Sequence, residues 1–134
     1  MSKGLLFQGL VSKESVLEES VPKGIGTDLL NQRRIAHIME KQGERFAHRI
    51  LTPQELLLWA EKAYSVNFVA KRFAAKEAIS KALGTGMAQG IGFQQMNIEL
   101  SGAALIRANA LGGQQVLLSL SDEGEMILAF AVLS

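Results

Sequence analysis

Apolar positions follow two rhythms along this chain. In the first half they recur every three or four residues, the spacing of helices; in the second they come in short alternating or continuous runs, the habit of strands. The stretch LLNQRRIAHIME reads as a helix with Leu30, Ile35 and Ile38 as core contacts and Thr27 or Asp28 as its cap. RFAHRIL is a second, shorter helical piece. TPQELLLWAEKA opens a third, with Thr52 as cap and Pro53 at the first helical position, where its missing N–H costs nothing. The main helix is expected from Val66 to Leu83, stopped by Gly84. FQQMNIEL reads as a strand, SGAALIRANALGG as a helix capped by Ser101, and the apolar runs around SDEGE as a β-hairpin. The fold expected is α+β: helices packed on a small antiparallel sheet supplied mainly by the second half.

One residue breaks the apolar pattern of the main helix. At about 100° per residue, Val66, Val69, Ala70 and Phe73 share a face, and Glu77 falls on it with Lys81 one turn further on. A buried carboxylate needs a cation, a metal or several donors. Lys81 stands in the favourable Glu-then-Lys order for a structural ion pair. A second reading draws on Asp28, which follows a glycine-rich turn, and on the GTG of residues 84–86, where little bulk would block a phosphate. Two carboxylates with phosphate oxygens and waters suit Mg²⁺, and Lys71, Arg72 and Lys76 would neutralise further phosphate charge.

Composition bounds these readings. The chain has 134 residues and a net charge of +1, close to the commonest size for one domain and without the overall basic charge of a nucleic-acid binder. Basic residues cluster locally, as Arg33, Arg34, Arg45 and Arg49 and as Lys71, Arg72 and Lys76, which suits a phosphate-bearing ligand or an acidic partner. The count of cysteines is 0, which removes disulfides and thiol chemistry and fits a reducing compartment. No apolar run is long enough for a membrane span, and the first residues lack the pattern of a signal peptide. Residues 1–22 read as an extension without a role in function, a poorly ordered tail, and residues 23–134 as the domain.

The segments GIGTDLL, RRI, RFAHRIL, KRFAAKEAISKALGTG and LSLSDE occur in this order. Together they resemble the small bacterial holo-[acyl-carrier-protein] synthase family of phosphopantetheinyl transferases, over nearly everything from Gly24 onward. The resemblance implies a cytoplasmic, Mg²⁺-dependent enzyme with that family's fold. It would move phosphopantetheine from coenzyme A to a serine of acyl carrier protein and release adenosine 3′,5′-bisphosphate. It implies Asp28 and Glu77 as metal ligands, Glu77 and Lys81 as catalytic groups, and Lys81 on the pyrophosphate. Arg72, Lys76, Gly84, Gly86 and Ser121 would hold coenzyme A. Arg34, with Arg33, Arg45 and Arg49, would grip the acidic carrier. It also implies a homotrimer with sites between subunits, and neither nucleic acid nor membrane as a partner. Glu77 is the expected base for the serine proton, directly or through water.

The chain departs from the family pattern in three places. More than twenty residues precede GIGTD, and Pro22, which has no N–H to donate, stands where apolar strand residues are usual. Glu99 and Leu100 run straight into Ser101 and Gly102, so the family's hairpin with its GKP is expected to be missing. Gly124 and Glu125 follow SLSDE where a basic residue or histidine is common, and His37 and His48 read as helix-surface residues. The missing hairpin supports an alternative, a non-catalytic relative that binds the carrier but has lost coenzyme A. A third reading, an ordinary structural domain, would leave Glu77 to Lys81 alone.

Overall fold

The computed structural model describes residues 21–84, 92–101, 105–109 and 115–133. Strand β1, Gly24–Asn31, leads into three helices, α1 (Gln32–Gln42), α2 (Glu44–Ile50) and α3 (Pro53–Glu61), and then the long α4 (Val66–Ala82). Four strands follow: β2 (Asn97–Ser101), β3 (Leu105–Asn109), β4 (Gln115–Glu123) and β5 (Met126–Leu133). They form one five-stranded sheet in the order β1-β5-β4-β3-β2, antiparallel throughout.

The α+β expectation therefore holds, with two local corrections. Thr27 and Asp28 do not cap a helix; they lie inside β1, paired with Phe130 and Ala129. The cap of α1 is Asn31, whose side chain accepts from the N–H of Arg33. Leu105–Asn109 is a strand and not a helix, and Ser101 ends β2 opposite Leu105. β2 thus pairs with a strand drawn from the SGAALIRAN segment itself, and the GKP of the family's hairpin does not occur in the chain. Helix propensity is a weak prior, and the ladders that β3 makes to both β2 and β4 outweigh it here.

Other signals translate directly. Thr52 accepts from the N–H of Glu55 while Glu55 returns a bond to the N–H of Thr52, a complete capping box with Pro53 at the first position. Ser65 caps α4 through the N–H of Phe68. The β4–β5 turn has Gly124 at φ +59°, a conformation that costs glycine little. Pro22 lies outside β1 and interrupts no ladder.

The core lies between the helices and one face of the sheet. Leu30, Ile35, Phe46, Ile50, Trp59, Ile79, Ile98, Leu118 and Ile127 are buried in it. At its centre runs α4, buried nearly all round, so the single apolar stripe expected from its sequence is replaced by contacts on most sides. It lies against β1 at very short range. A Cβ on Gly24 would stand 1.8 Å from the carbonyl oxygen of Ala82, and one on Gly26 would stand 1.9 Å from that of Ala78. Two glycines on one strand face and two alanines one turn apart on the helix let the backbones touch, and this brings Asp28, next on that face, up to α4.

Candidate active site

Alternation along β1 turns Gly24, Gly26, Asp28 and Leu30 toward α4, and Ile25, Thr27 and Leu29 away from it. Asp28 is 16 % exposed. Lys81, on the last turn of α4, places its ammonium 2.8 Å from the carbonyl oxygen of Thr27 and 3.4 Å from Oδ1 of Asp28. The ion pair of Lys81 is therefore with the strand acid rather than with Glu77, four residues earlier on its own helix.

Glu77 is half-buried beside this pair and closes no direct ion pair among the described residues. Burial pushes its carboxyl above the usual carboxylate value, and the negative charge of Asp28 pushes it further. The charges of Lys81 and Arg34 pull the other way. Arg34 reaches this corner from α1, its guanidinium 5.7 Å from the ring centre of Phe73. The structure thus brings Asp28, Glu77, Lys81 and Arg34 together from three elements.

Two carboxylates that repel each other across a half-exposed corner are the donor set a hard divalent cation prefers. Among the described residues no group of three or more His, Asp or Glu side chains is placed to hold a metal. An ion here would take two protein ligands and draw the rest from phosphate and water, which suits Mg²⁺ in particular.

The other expected residues are placed as follows. Lys76 is 0 % exposed and Arg72 is 2 % exposed. The ammonium of Lys76 donates to Glu55 Oε1, to the carbonyl oxygen of Ile50 at 2.7 Å and to that of Phe93 at 3.0 Å. Arg72 Nε lies 3.3 Å from Glu55 Oε2, and its guanidinium stacks 4.2 Å over Phe68. Burial lowers the proton affinity of both cations, with Glu55 opposing the shift. Lys76 belongs to a buried network in the core, and Arg72 joins that network while also lining two surface concavities. Its acid, Glu55, escaped the sequence reading, although TPQE spells the capping box that holds it.

Ser121 is exposed on the sheet face opposite α4, away from Asp28 and Glu77 within the chain. Gly84 follows α4 with φ +73°, and Gly86 lies outside the described residues. Lys71 pairs with Asp122 at 3.4 Å. Arg33 pairs with Glu125 at 2.7 Å, in the position where a basic residue was expected. Arg45 and Arg49 line a separate concavity of about 580 Å³ with Gln42 and His48. His37 and His48 are exposed on their helices, as the sequence suggests.

The chain is similar to known proteins in sequence and in fold. The sequence model of the 4′-phosphopantetheinyl transferase superfamily matches residues 24–131. A holo-[acyl-carrier-protein] synthase of Halorhodospira halophila is 47% identical over 120 residues, covering 82% of this chain and 95% of that protein. The crystal structure of holo-[acyl-carrier-protein] synthase from Neisseria meningitidis superposes with a TM-score of 0.77 at 38% identity, covering 85% of this chain and 99% of that one. A holo-(acyl-carrier-protein) synthase from Bacillus anthracis, solved in complex with CoA (3′,5′-ADP), has a TM-score of 0.72 at 34% identity, with 84% of this chain and 96% of that one covered. With the family's sequence model matching residues 24–131 and 99% of the Neisseria meningitidis structure covered, the chain belongs to the 4′-phosphopantetheinyl transferase superfamily, in the holo-[acyl-carrier-protein] synthase family.

Proposed function

We propose that this protein transfers the 4′-phosphopantetheine group of coenzyme A to a serine hydroxyl of an apo acyl carrier protein, in the cytoplasm, and releases adenosine 3′,5′-bisphosphate. The observation that carries this is the convergence of Asp28 and Glu77 beside Lys81 and Arg34. Asp28 and Glu77 would hold Mg²⁺, which when bound supplies neutralisation of the diphosphate and a fixed orientation for it.

The chain's own residues supply the rest. Glu77 accepts the proton as the serine oxygen bonds to the β-phosphorus. Burial and the charge of Asp28 raise its proton affinity, the direction a proton acceptor needs. The bond from that phosphorus to the nucleotide oxygen breaks, and the electron pair stays on the departing phosphate. Lys81 lies where its ammonium stabilises that charge. Arg34 with Arg33, and Arg45 with Arg49, offer positive charge to an acidic carrier.

The assembly proposed is a homotrimer. Ile25, Leu29, Leu117, Met126, Leu128 and Phe130 are exposed large apolar side chains, and all lie on the sheet face away from α4. A patch of that kind on a small protein marks an interface. With sites shared between subunits, as the family resemblance implies, Ser121 would serve the site of a neighbouring subunit.

The direct test is carrier charging. Incubation with coenzyme A, Mg²⁺ and an apo carrier should add the phosphopantetheine mass, as read by mass spectrometry, and a chelator should stop it. An uncharged carrier after full incubation would overturn the assignment.

A further inference from the structure

We propose that Glu55 is a positioning residue for this reaction: it sets the rotation of α4 about its axis, and with it the approach of Glu77 to Asp28. The proposal rests on reading those two acids as the reacting centre.

Glu55 is 0 % exposed and sits in the first turn of α3. Its Oε1 accepts from the N–H of Thr52 at 2.9 Å and from the ammonium of Lys76. Its Oε2 accepts from the N–H of Ile98 at 3.3 Å and from Nε of Arg72 at 3.3 Å. One carboxylate therefore ties together the start of α3, the middle of α4 and the strand β2. The tie to β2 has a particular form. β2 is an edge of the sheet, and Arg72 Nη2 also donates to the carbonyl oxygen of Ile98 at 3.5 Å. Glu55 and Arg72 thus occupy both backbone groups of Ile98 that a neighbouring strand would have used.

This matters because apolar packing, although it surrounds α4, is non-directional. The helix's buried apolar side chains are Phe68, Val69 and Ile79 with the alanines Ala70, Ala74, Ala75, Ala78 and Ala82. Such contacts hold the helix in place without hydrogen-bond geometry that singles out one rotation. A buried ionic cluster differs, because its donors and acceptors are satisfied at one orientation only. Among the described residues no buried side-chain nitrogen or oxygen lacks a partner, so the cluster is complete.

Arg72 and Lys76 form one row along α4. Glu77 and Lys81 form the next, about 100° round the axis. Both rows ride on one rigid cylinder. A rotation of roughly 10° would move a side-chain carboxylate about 1 Å at the radius such a group reaches from the axis. A misplacement of that size costs a catalytic site about a hundredfold. Glu55 touches no reacting atom and acts through the helix.

The test compares Glu55→Gln, Glu55→Asp, Lys76→Met and Glu77→Gln, each assayed well below its own unfolding midpoint with folding checked by circular dichroism. Positioning predicts that folded Glu55→Gln loses about 10- to 100-fold in kcat at saturating coenzyme A, carrier and Mg²⁺. Its half-saturating Mg²⁺ concentration rises, its KM for the carrier is unchanged, and Glu55→Asp recovers part of the loss. A merely structural role lowers the melting temperature alone, and wild-type kcat and Mg²⁺ response in folded Glu55→Gln would overturn the proposal. Where Glu55→Gln does not fold, Lys76→Met carries the same expectation and the same refutation, since it keeps the Glu55–Arg72 pair. An active Glu77→Gln would overturn the site and the positioning together. An inactive Glu77→Gln beside an unimpaired Glu55→Gln would overturn the positioning alone.

Discussion

Lys81 Nζ stands 3.4 Å from Oδ1 of Asp28, across from its own helix, and closes no ion pair with Glu77 four residues earlier. The i,i+4 pairing that the sequence suggests is thus replaced by a link between strand and helix. This link is 54 % exposed on the lysine side and contributes little to stability, on the order of 0–1 kcal/mol. Lys81→Met should therefore leave the melting temperature nearly unchanged and lower turnover by about 10²- to 10³-fold. A large fall in stability with turnover intact would reverse the roles given to this residue.

Glu77 carries a pH signature. Its folded proton affinity is raised by burial and then by Asp28, above an ordinary value of 4.5. The folded state therefore binds this proton more tightly than the unfolded chain does. The resulting stability is fully present below the unfolded value and is lost as pH rises through the folded one. With metal chelated at about pH 7.5, well above the ordinary value, Glu77→Gln should melt at or above the wild-type temperature. The difference should shrink as pH falls, and added Mg²⁺ should stabilise the wild type only. Thermal scans across pH, with and without Mg²⁺, read this directly. Turnover should fall on the acid side as Glu77 becomes protonated.

The approach of β1 to α4 is equally testable. A methyl group on Gly26 would collide with the carbonyl oxygen of Ala78, a backbone atom that cannot swing aside. Gly26→Ala should cost about 1–3 kcal/mol, as overpacking does, and should move Asp28 away from Glu77. Both stability and turnover should drop, unlike the Lys81 case. A Gly26→Ala protein with normal melting and activity would show that the contact is looser than described.

The outer sheet face makes a prediction about assembly. Leu29 and Leu128 pair across β1 and β5, and both are exposed in the single chain. Leu128→Asp should convert a trimer to monomers in analytical ultracentrifugation and lower activity with it. A wild type that sediments as a monomer at assay concentration and is fully active would refute the shared site.

Much of this was legible in the sequence, for identifiable reasons. Thr52 and Pro53 mark a helix start because both act within one turn of chain. The hairpin around Gly124 is likewise local. The convergence of Asp28 with Glu77 was reached through resemblance and the oddity of an acid among apolar residues. No local rule places two residues so far apart side by side. The strand Leu105–Asn109 was misread because alanine, leucine and arginine favour helix alone, whereas here two neighbouring strands decide. Arg72 and Lys76 lie deeper than a basic pair on a helix usually does, because the acid that pairs with them comes from another helix.

Cation binding by the two acids is the point on which the mechanism turns. The measurement is Mn²⁺ binding in the presence of coenzyme A, followed by electron paramagnetic resonance as loss of the free-ion signal, for the wild type, Asp28→Asn and Glu77→Gln. One site per chain should appear in the wild type and be lost or greatly weakened in both variants. Undiminished Mn²⁺ binding in either folded variant would contradict the account.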